Sequence, residues 1–262
     1  MDEALKILVK LAVVGLSAVL LMTYAGAFDA PVPSEPVEPA MREPARDVPK
    51  VLSYEAERKR MVELQLKGRD ITDPKVLEVM GRVPRHLFLP DELQHRAHED
   101  RPLPILHRQT ISQPYIVAIM SQIGMTSKAK RALDIGTGSG YQAAVLGELV
   151  EQVYSIEIVC ELADSARAKL TELGYQNIEV RCGDGYRGWP EHAPFDVIIV
   201  AAAPDHVPEP LIEQLAPGGK LVIPVGDVYQ DLMVITRTES GTLEKELIFP
   251  VRFVPMTGEA KQ

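Results

Sequence analysis

The chain has 262 residues, 46% of them hydrophobic, enough to bury the core of one domain or at most two. Its 28 Lys and Arg against 37 Asp and Glu give a formal net charge of −9, which argues against sequence-independent nucleic-acid binding, since that needs a basic surface. Two cysteines, Cys160 and Cys182, and no Cys or His pair at zinc-ligand spacing exclude a disulfide scaffold and a four-cysteine zinc site. Both cysteines are expected to be small core residues, and no metal is expected.

The first 28 residues read as a segment outside the fold. Lys6 and Lys10 precede an apolar run, Leu11 to Met22, broken only by Gly15 and Ser17, and Ala25-Gly26-Ala27 follows. A positive start, an apolar middle and a small-residue exit are the marks of a secretory signal peptide. The alternative is a membrane anchor through 11–28, a length at the lower limit of the roughly 17–25 residues that span a bilayer. Basic residues before the run would keep the N-terminus inside and send the rest out. Residues 29–52 then carry Pro31, Pro33, Pro36, Pro39, Pro44 and Pro49 among Glu, Arg and Asp. Proline fixes φ and removes donors, so this stretch is expected to be an extended linker.

The globular part, 53–262, starts with two short helices, over 54–66 and 74–80, the second entered through Asp73 as N-cap and Pro74 as first residue. Beyond residue 113 the period changes. Helices are predicted over 114–123, 141–149, 161–173 and 208–215, and strands over 131–135, 152–158, 178–181, 195–201, 220–225, 231–237 and 247–254. Strands alternating with helices predict an α/β fold with a mostly parallel sheet covered on both faces.

The chemistry gathers at the strand ends. Asp134-Ile135-Gly136-Thr137-Gly138-Ser139-Gly140 joins a strand to a helix, and glycines there admit positive φ and let backbone approach a ligand. The spacing GxGxG differs from the GxGxxG of dinucleotide sites, which disfavours a nicotinamide oxidoreductase. Glu157, closing the next strand, can accept both hydroxyls of a ribose. Asp184 in Gly183-Asp184-Gly185, after the third strand, can accept from an exocyclic amine. Together these read as a nucleoside site at the carboxyl edge of the sheet. Trp189 reads as a packing anchor beside it, and His86 and His107 as packing or loop residues.

Several longer stretches resemble the protein-L-isoaspartate O-methyltransferases. They are Val83-Pro84-Arg85-His86-Leu87-Phe88-Leu89-Pro90, Asp100-Arg101-Pro102-Leu103-Pro104-Ile105, Gln109-Thr110-Ile111-Ser112-Gln113-Pro114-Tyr115, Gly183 through Ile198, and Pro250-Val251-Arg252-Phe253-Val254-Pro255. The resemblance covers roughly 58–256. It implies a class I, Rossmann-like S-adenosylmethionine-dependent methyltransferase fold, with a mostly parallel seven-stranded sheet, helices on both faces and a substrate-side extension over 53–113. It implies methylation of the α-carboxylate of L-isoaspartyl residues in damaged proteins, and of the side-chain carboxylate of D-aspartyl residues, by a monomer. It places the catalytic position at Ser112, the cofactor at Asp134, Gly136, Thr137, Gly138, Ser139, Gly140, Glu157, Asp184 and Gly185, and the substrate at Thr110, Ile111 and Val251, Arg252, Phe253 and Val254, the last four by strand-like pairing. A second reading of Ser112 or Gln113 is that one of them caps the helix starting at Pro114.

One departure stands out. The family loop reads glycine-x-glycine before Gln-Thr, whereas this chain has Leu106-His107-Arg108. If those positions need positive φ the loop must differ, and Arg108 is expected to meet carboxylates of the substrate peptide. Other readings are a methyltransferase of another peptide carboxylate and a tethered peptide-binding module without turnover. Cofactor supply and the family favour the cytoplasm; the N-terminal segment favours export or tethering.

Overall fold

The computed structural model describes residues 52–261, so the expected signal segment and most of the linker lie outside it. Ser53 caps helix α1 (Tyr54–Met61) by accepting from the Ala56 N–H, and α1 continues as a π-helical turn over Val62–Lys67. Asp73 accepts from the Lys75 and Val76 N–H groups, and Pro74 opens α2 (Pro74–Arg82), whose Val76, Val79 and Met80 are buried. A short antiparallel pair follows, β1 (Leu103–Pro104) with β2 (Thr110–Ile111), and closes the loop that carries residues 106–108.

The main body alternates as its sequence pattern requires: α3 (Pro114–Gly124), β3 (Arg131–Ile135), α4 (Tyr141–Gly147), β4 (Gln152–Glu157), α5 (Cys160–Glu172), β5 (Ile178–Cys182), β6 (Phe195–Val200), α6 (Glu209–Glu213), β7 (Leu215–Val225), β8 (Gln230–Arg237) and β9 (Leu243–Val251). The seven-stranded sheet has the order β5-β4-β3-β6-β7-β8-β9. Its first five strands pair in parallel, and β8 runs antiparallel to both β7 and β9. Apolar runs such as Val197–Val200 are buried on both faces, the pattern of a sheet sandwiched between helices. From β3 the chain moves outward through β4 and β5, then returns to β6 on the other side. That reversal opens a crevice at the carboxyl ends of β3, β4 and β6, where open α/β sheets bind ligands.

Three expectations are corrected. Cys160 and Cys182 are not core residues: both are exposed and joined in a disulfide, with Cα atoms 4.9 Å apart. Glu157 and Cys182 are register partners on β4 and β5, and Cys160 opens α5 just beyond Glu157, so the sulfurs meet across the strand ends. The strand β7 starts earlier than expected. Phe195 pairs with Leu215 and Val197 with Lys220, so Pro217-Gly218-Gly219 is a bulge within the strand and not a turn before it. The last strand spans 243–251, not 247–254, which leaves Arg252–Val254 beyond its end.

Candidate active site

The glycine loop leaves β3 at Ile135. Gly136, Gly138 and Gly140 have φ of 91°, 52° and 89°, a left-handed turn three times in five residues that side chains would resist. The Gly136 and Thr137 N–H groups donate to the Ile156 carbonyl at 2.8 and 3.2 Å, which ties the loop to β4. Beneath it, Asp134 is fully buried and accepts from Ser155 Oγ at 2.7 Å; Ser155 in turn lies 2.6 Å from Thr137 Oγ1. Burial pushes the Asp134 carboxyl up to about 7; the Ser155 hydrogen bond opposes this and the Glu157 charge adds to it. Glu157, 5% exposed, holds its carboxylate between the Gly138 N–H at 2.8 Å and the Val159 N–H at 3.0 Å.

Over this floor lies a cavity of about 890 Å³. Its lining includes Gly136, Thr137, Gly138, Ser139, Glu157 and Gly185 on one side, and Thr110, Ile111, Ser112 and Val251–Val254 on the other. The residues expected to serve cofactor and substrate thus meet in a single space, with three exceptions. Asp134 and Gly140 stand behind the lining, where they shape the loop. Asp184 is not among the lining residues. It accepts from the Tyr186 N–H at 2.9 Å and from the Glu259 N–H at 2.8 Å, anchoring a C-terminal turn (Gly258–Lys261), and leaves Gly185 to face the cavity. Gly185 has to be glycine: a Cβ there would lie 2.3 Å from Ile135 Cγ2. Among the described residues, no group of three or more His, Cys, Asp or Glu is placed to hold a metal ion.

Ser112 lies between β2 and α3. The N-cap of α3 is Gln113, by position only, since its side chain makes no capping hydrogen bond, and Ser112 lies outside the cap. Gln113 reaches elsewhere, donating from Nε2 to Asp100 Oδ1 at 2.7 Å. Part of the backbone in 251–254 is already engaged. Gln230 Oε1 accepts from the Phe253 N–H at 2.6 Å and Gln230 Nε2 donates to the Phe253 carbonyl at 3.3 Å, and the Ala203 N–H donates to the Val254 carbonyl at 2.8 Å, so strand-like pairing has fewer free groups than expected. The departing loop keeps a left-handed turn: His107 and Arg108 have φ of 57° and 59°. Both are exposed, and Arg108 is not among the cavity's lining residues.

The lining also contains Arg69, Tyr115 and Phe249, none of them anticipated. Tyr115 is 7% exposed and donates from its hydroxyl to Asp70 Oδ2 at 3.0 Å; burial, then Asp70, push the phenol up to about 12. A signal for Tyr115 existed, since it ends the motif that begins at Gln109. Arg69 carried none, because it reaches the cavity only through the turn that follows the π-helical segment.

A glycine loop on the first strand and a carboxylate closing the second are shared with dinucleotide sites, but the antiparallel β8 beyond five parallel strands is not, and the fold is that of a class I, Rossmann-like methyltransferase. Comparison with known proteins narrows the class. The family described as protein-L-isoaspartate(D-aspartate) O-methyltransferase matches residues 56–261, and the chain belongs to that family. Curated relatives named protein-L-isoaspartate O-methyltransferase include one from Gloeobacter violaceus, 54% identical over 77% of this chain and 99% of its own length, and one from Opitutus terrae, 55% identical over 78% and 88%. Among solved structures, a protein-L-isoaspartate O-methyltransferase superposes with a TM-score of 0.69 at 29% identity, over 78% of this chain and 67% of its own. A Plasmodium falciparum one, in complex with S-adenosyl-L-homocysteine, gives 0.66 at 28% identity over 76% and 98%.

Proposed function

We propose that this chain transfers a methyl group from S-adenosylmethionine to the free α-carboxylate of L-isoaspartyl residues in damaged proteins, and to the side-chain carboxylate of D-aspartyl residues. The ester then closes to a succinimide that hydrolyses partly to aspartate. The observation that carries this reading is that one cavity holds both the glycine loop with Glu157 and the walls built by Thr110–Ser112 and Val251–Val254.

The residues fit the cofactor. Glu157 faces the cavity with its carboxylate already oriented by two backbone donors, suited to a ribose diol, and Gly185 leaves room where a side chain could not stand. When bound, the cofactor supplies an electrophilic methyl on a sulfonium. The acceptor carboxylate, with an ordinary pKa near ~4, is already an anion at neutral pH and needs no general base. The protein's task is then to align acceptor and methyl and to exclude water. Ser112 orients the acceptor carboxylate by donating a hydrogen bond to it, and the backbone of 251–254 that remains free holds the peptide. The test is methyl transfer from labelled cofactor to an isoaspartyl peptide, with its aspartyl isomer as control. Label should enter only the isoaspartyl form; equal labelling of both would end the assignment. Glu157→Ala should weaken cofactor binding by about 1–3 kcal/mol, the range for a lost hydrogen bond to a charged group, read by calorimetry.

On location, the disulfide favours export. Disulfides persist in oxidising compartments, and the N-terminal segment offers the route, as a cleaved signal or a tether with the catalytic domain outside. In this reading the protein is a monomer that acts on proteins and not on nucleic acid, as its net charge of −9 favours. Fractionation of cells with thiols trapped at lysis tests it: activity in the cytoplasmic fraction with both thiols reduced would overturn export.

A further inference from the structure

The cavity is lined by three charged residues, Arg69, Glu157 and Arg252. Glu157 belongs to the glycine-loop side. Arg69 lies with Tyr115 and Phe249, and the one carboxylate of the lining is the one that the Gly138 and Val159 N–H groups already hold, so the cations of the lining have no carboxylate partner within it. Arg69 is also held in place. Its guanidinium carbon sits 3.5 Å from the centroid of the Tyr115 ring, and Tyr115 is fixed in turn by its bond to Asp70 and by Phe249, 6.3 Å away centroid to centroid. A guanidinium stacked on a ring keeps its N–H donors in its own plane, free to meet a ligand edge-on. One of them, at Nη1, reaches Asp100 Oδ2 at 3.3 Å. Asp100 has a shorter bond from Gln113, and Asp70 has the Tyr115 hydroxyl, so both neighbouring carboxylates keep a neutral donor if Arg69 engages a ligand.

We propose that Arg69 is a specificity-determining residue, whose guanidinium on Tyr115 receives a carboxylate of the substrate peptide outside the reacting residue, so that damaged sites flanked by Asp or Glu are preferred. This rests on the carboxyl-methyltransferase reading of the cavity. It moves to Arg69 the role that the sequence suggested for Arg108, which is exposed but does not line the cavity.

The experiment uses isoaspartyl peptides identical except for Glu, Gln or Lys beside the damaged residue, on the full chain, with wild type, Arg69→Gln, Arg69→Lys and Arg108→Gly. For wild type the Glu-to-Lys ratio of kcat/KM should be about three- to fivefold, the size expected of a half-exposed ion pair, and should shrink in high salt. Arg69→Gln should bring the ratio close to one, through KM for the Glu peptide and not through kcat. Arg69→Lys should keep part of the preference, and Arg108→Gly all of it. The proposal is overturned if wild type and Arg69→Gln share one ratio, or if Arg108→Gly abolishes it. Methylation of none of the three peptides by wild type would overturn the activity reading itself, a distinct result.

Discussion

Ser112 is free for chemistry because α3 does not use it. The helix begins with Gln113 as N-cap and Pro114 as first residue, and no side chain satisfies its first N–H groups. Ser112→Ala should therefore lower kcat while leaving cofactor affinity and the thermal midpoint near wild type. A midpoint drop equal to that of a lost cap, about 1 kcal/mol in stability, would return Ser112 to a structural role. Arg108 makes the opposite case. At φ 59° it holds a left-handed conformation that costs a side-chain-bearing residue roughly 1–2 kcal/mol. Glycine removes that strain and returns part of the gain as unfolded-state freedom, so Arg108→Gly should stabilise the chain by about 0.5–1 kcal/mol in urea unfolding. The glycines and Glu157 are legible from their spacing on successive strands, and Ser112 from the family resemblance. Nothing local in Gly183-Asp184-Gly185 says that the Glu259 N–H will donate to the Asp184 carboxylate, which the sequence pattern assigns to the cofactor.

Elements were legible where burial writes a pattern. Ala132–Ile135, buried throughout, and the apolar run Val197–Val200 announce themselves as interior strands. The start of β9 does not, because Glu244, Lys245 and Glu246 sit on a sheet edge, where charge guards against further pairing instead of marking a core. Pro217-Gly218-Gly219 reads as a turn locally and becomes a bulge only because β6 supplies a partner on either side of it. The pairing of Cys160 with Cys182 was equally hidden: it needs the β4–β5 register, which places Cys182 beside Glu157. The sequence separation is 22 residues, and a loop of that size should contribute about 3 kcal/mol by restricting the unfolded chain. Reduction should lower the unfolding free energy by that amount and weaken cofactor binding, since the same link joins the strand end bearing Glu157 to the loop bearing Gly185. Equal cofactor affinity in reduced and oxidised protein would confine the disulfide to stability.

At the scale of the whole molecule, pH should act through Asp134. The unfolded carboxyl ionises near 3.8 and the folded one at about 7, so between those values the folded chain holds a proton that the unfolded chain has lost. Rising pH across that window therefore lowers stability. Asp134→Asn cannot ionise and should flatten that slope in denaturant titrations from pH 4 to 7; an unchanged slope would assign it to other groups. The cavity itself was half legible. Its glycine-loop wall is a contiguous motif on one strand and one loop, whereas the rest joins Thr110–Ser112 and Val251–Val254, which the resemblance named, to Arg69, Tyr115 and Phe249, which only folding brings to them.

That division of the walls has a consequence in time. The ribosome delivers the glycine loop well before the residues from Phe249 to Thr257, and the turn at Gly258–Lys261 that follows them latches onto Asp184 and, through Glu259, onto Arg187. Until those segments emerge the cofactor has one wall to rest on and cannot lock the fold by binding it. A nascent chain of this design gains stability from its ligand only after both walls have been made.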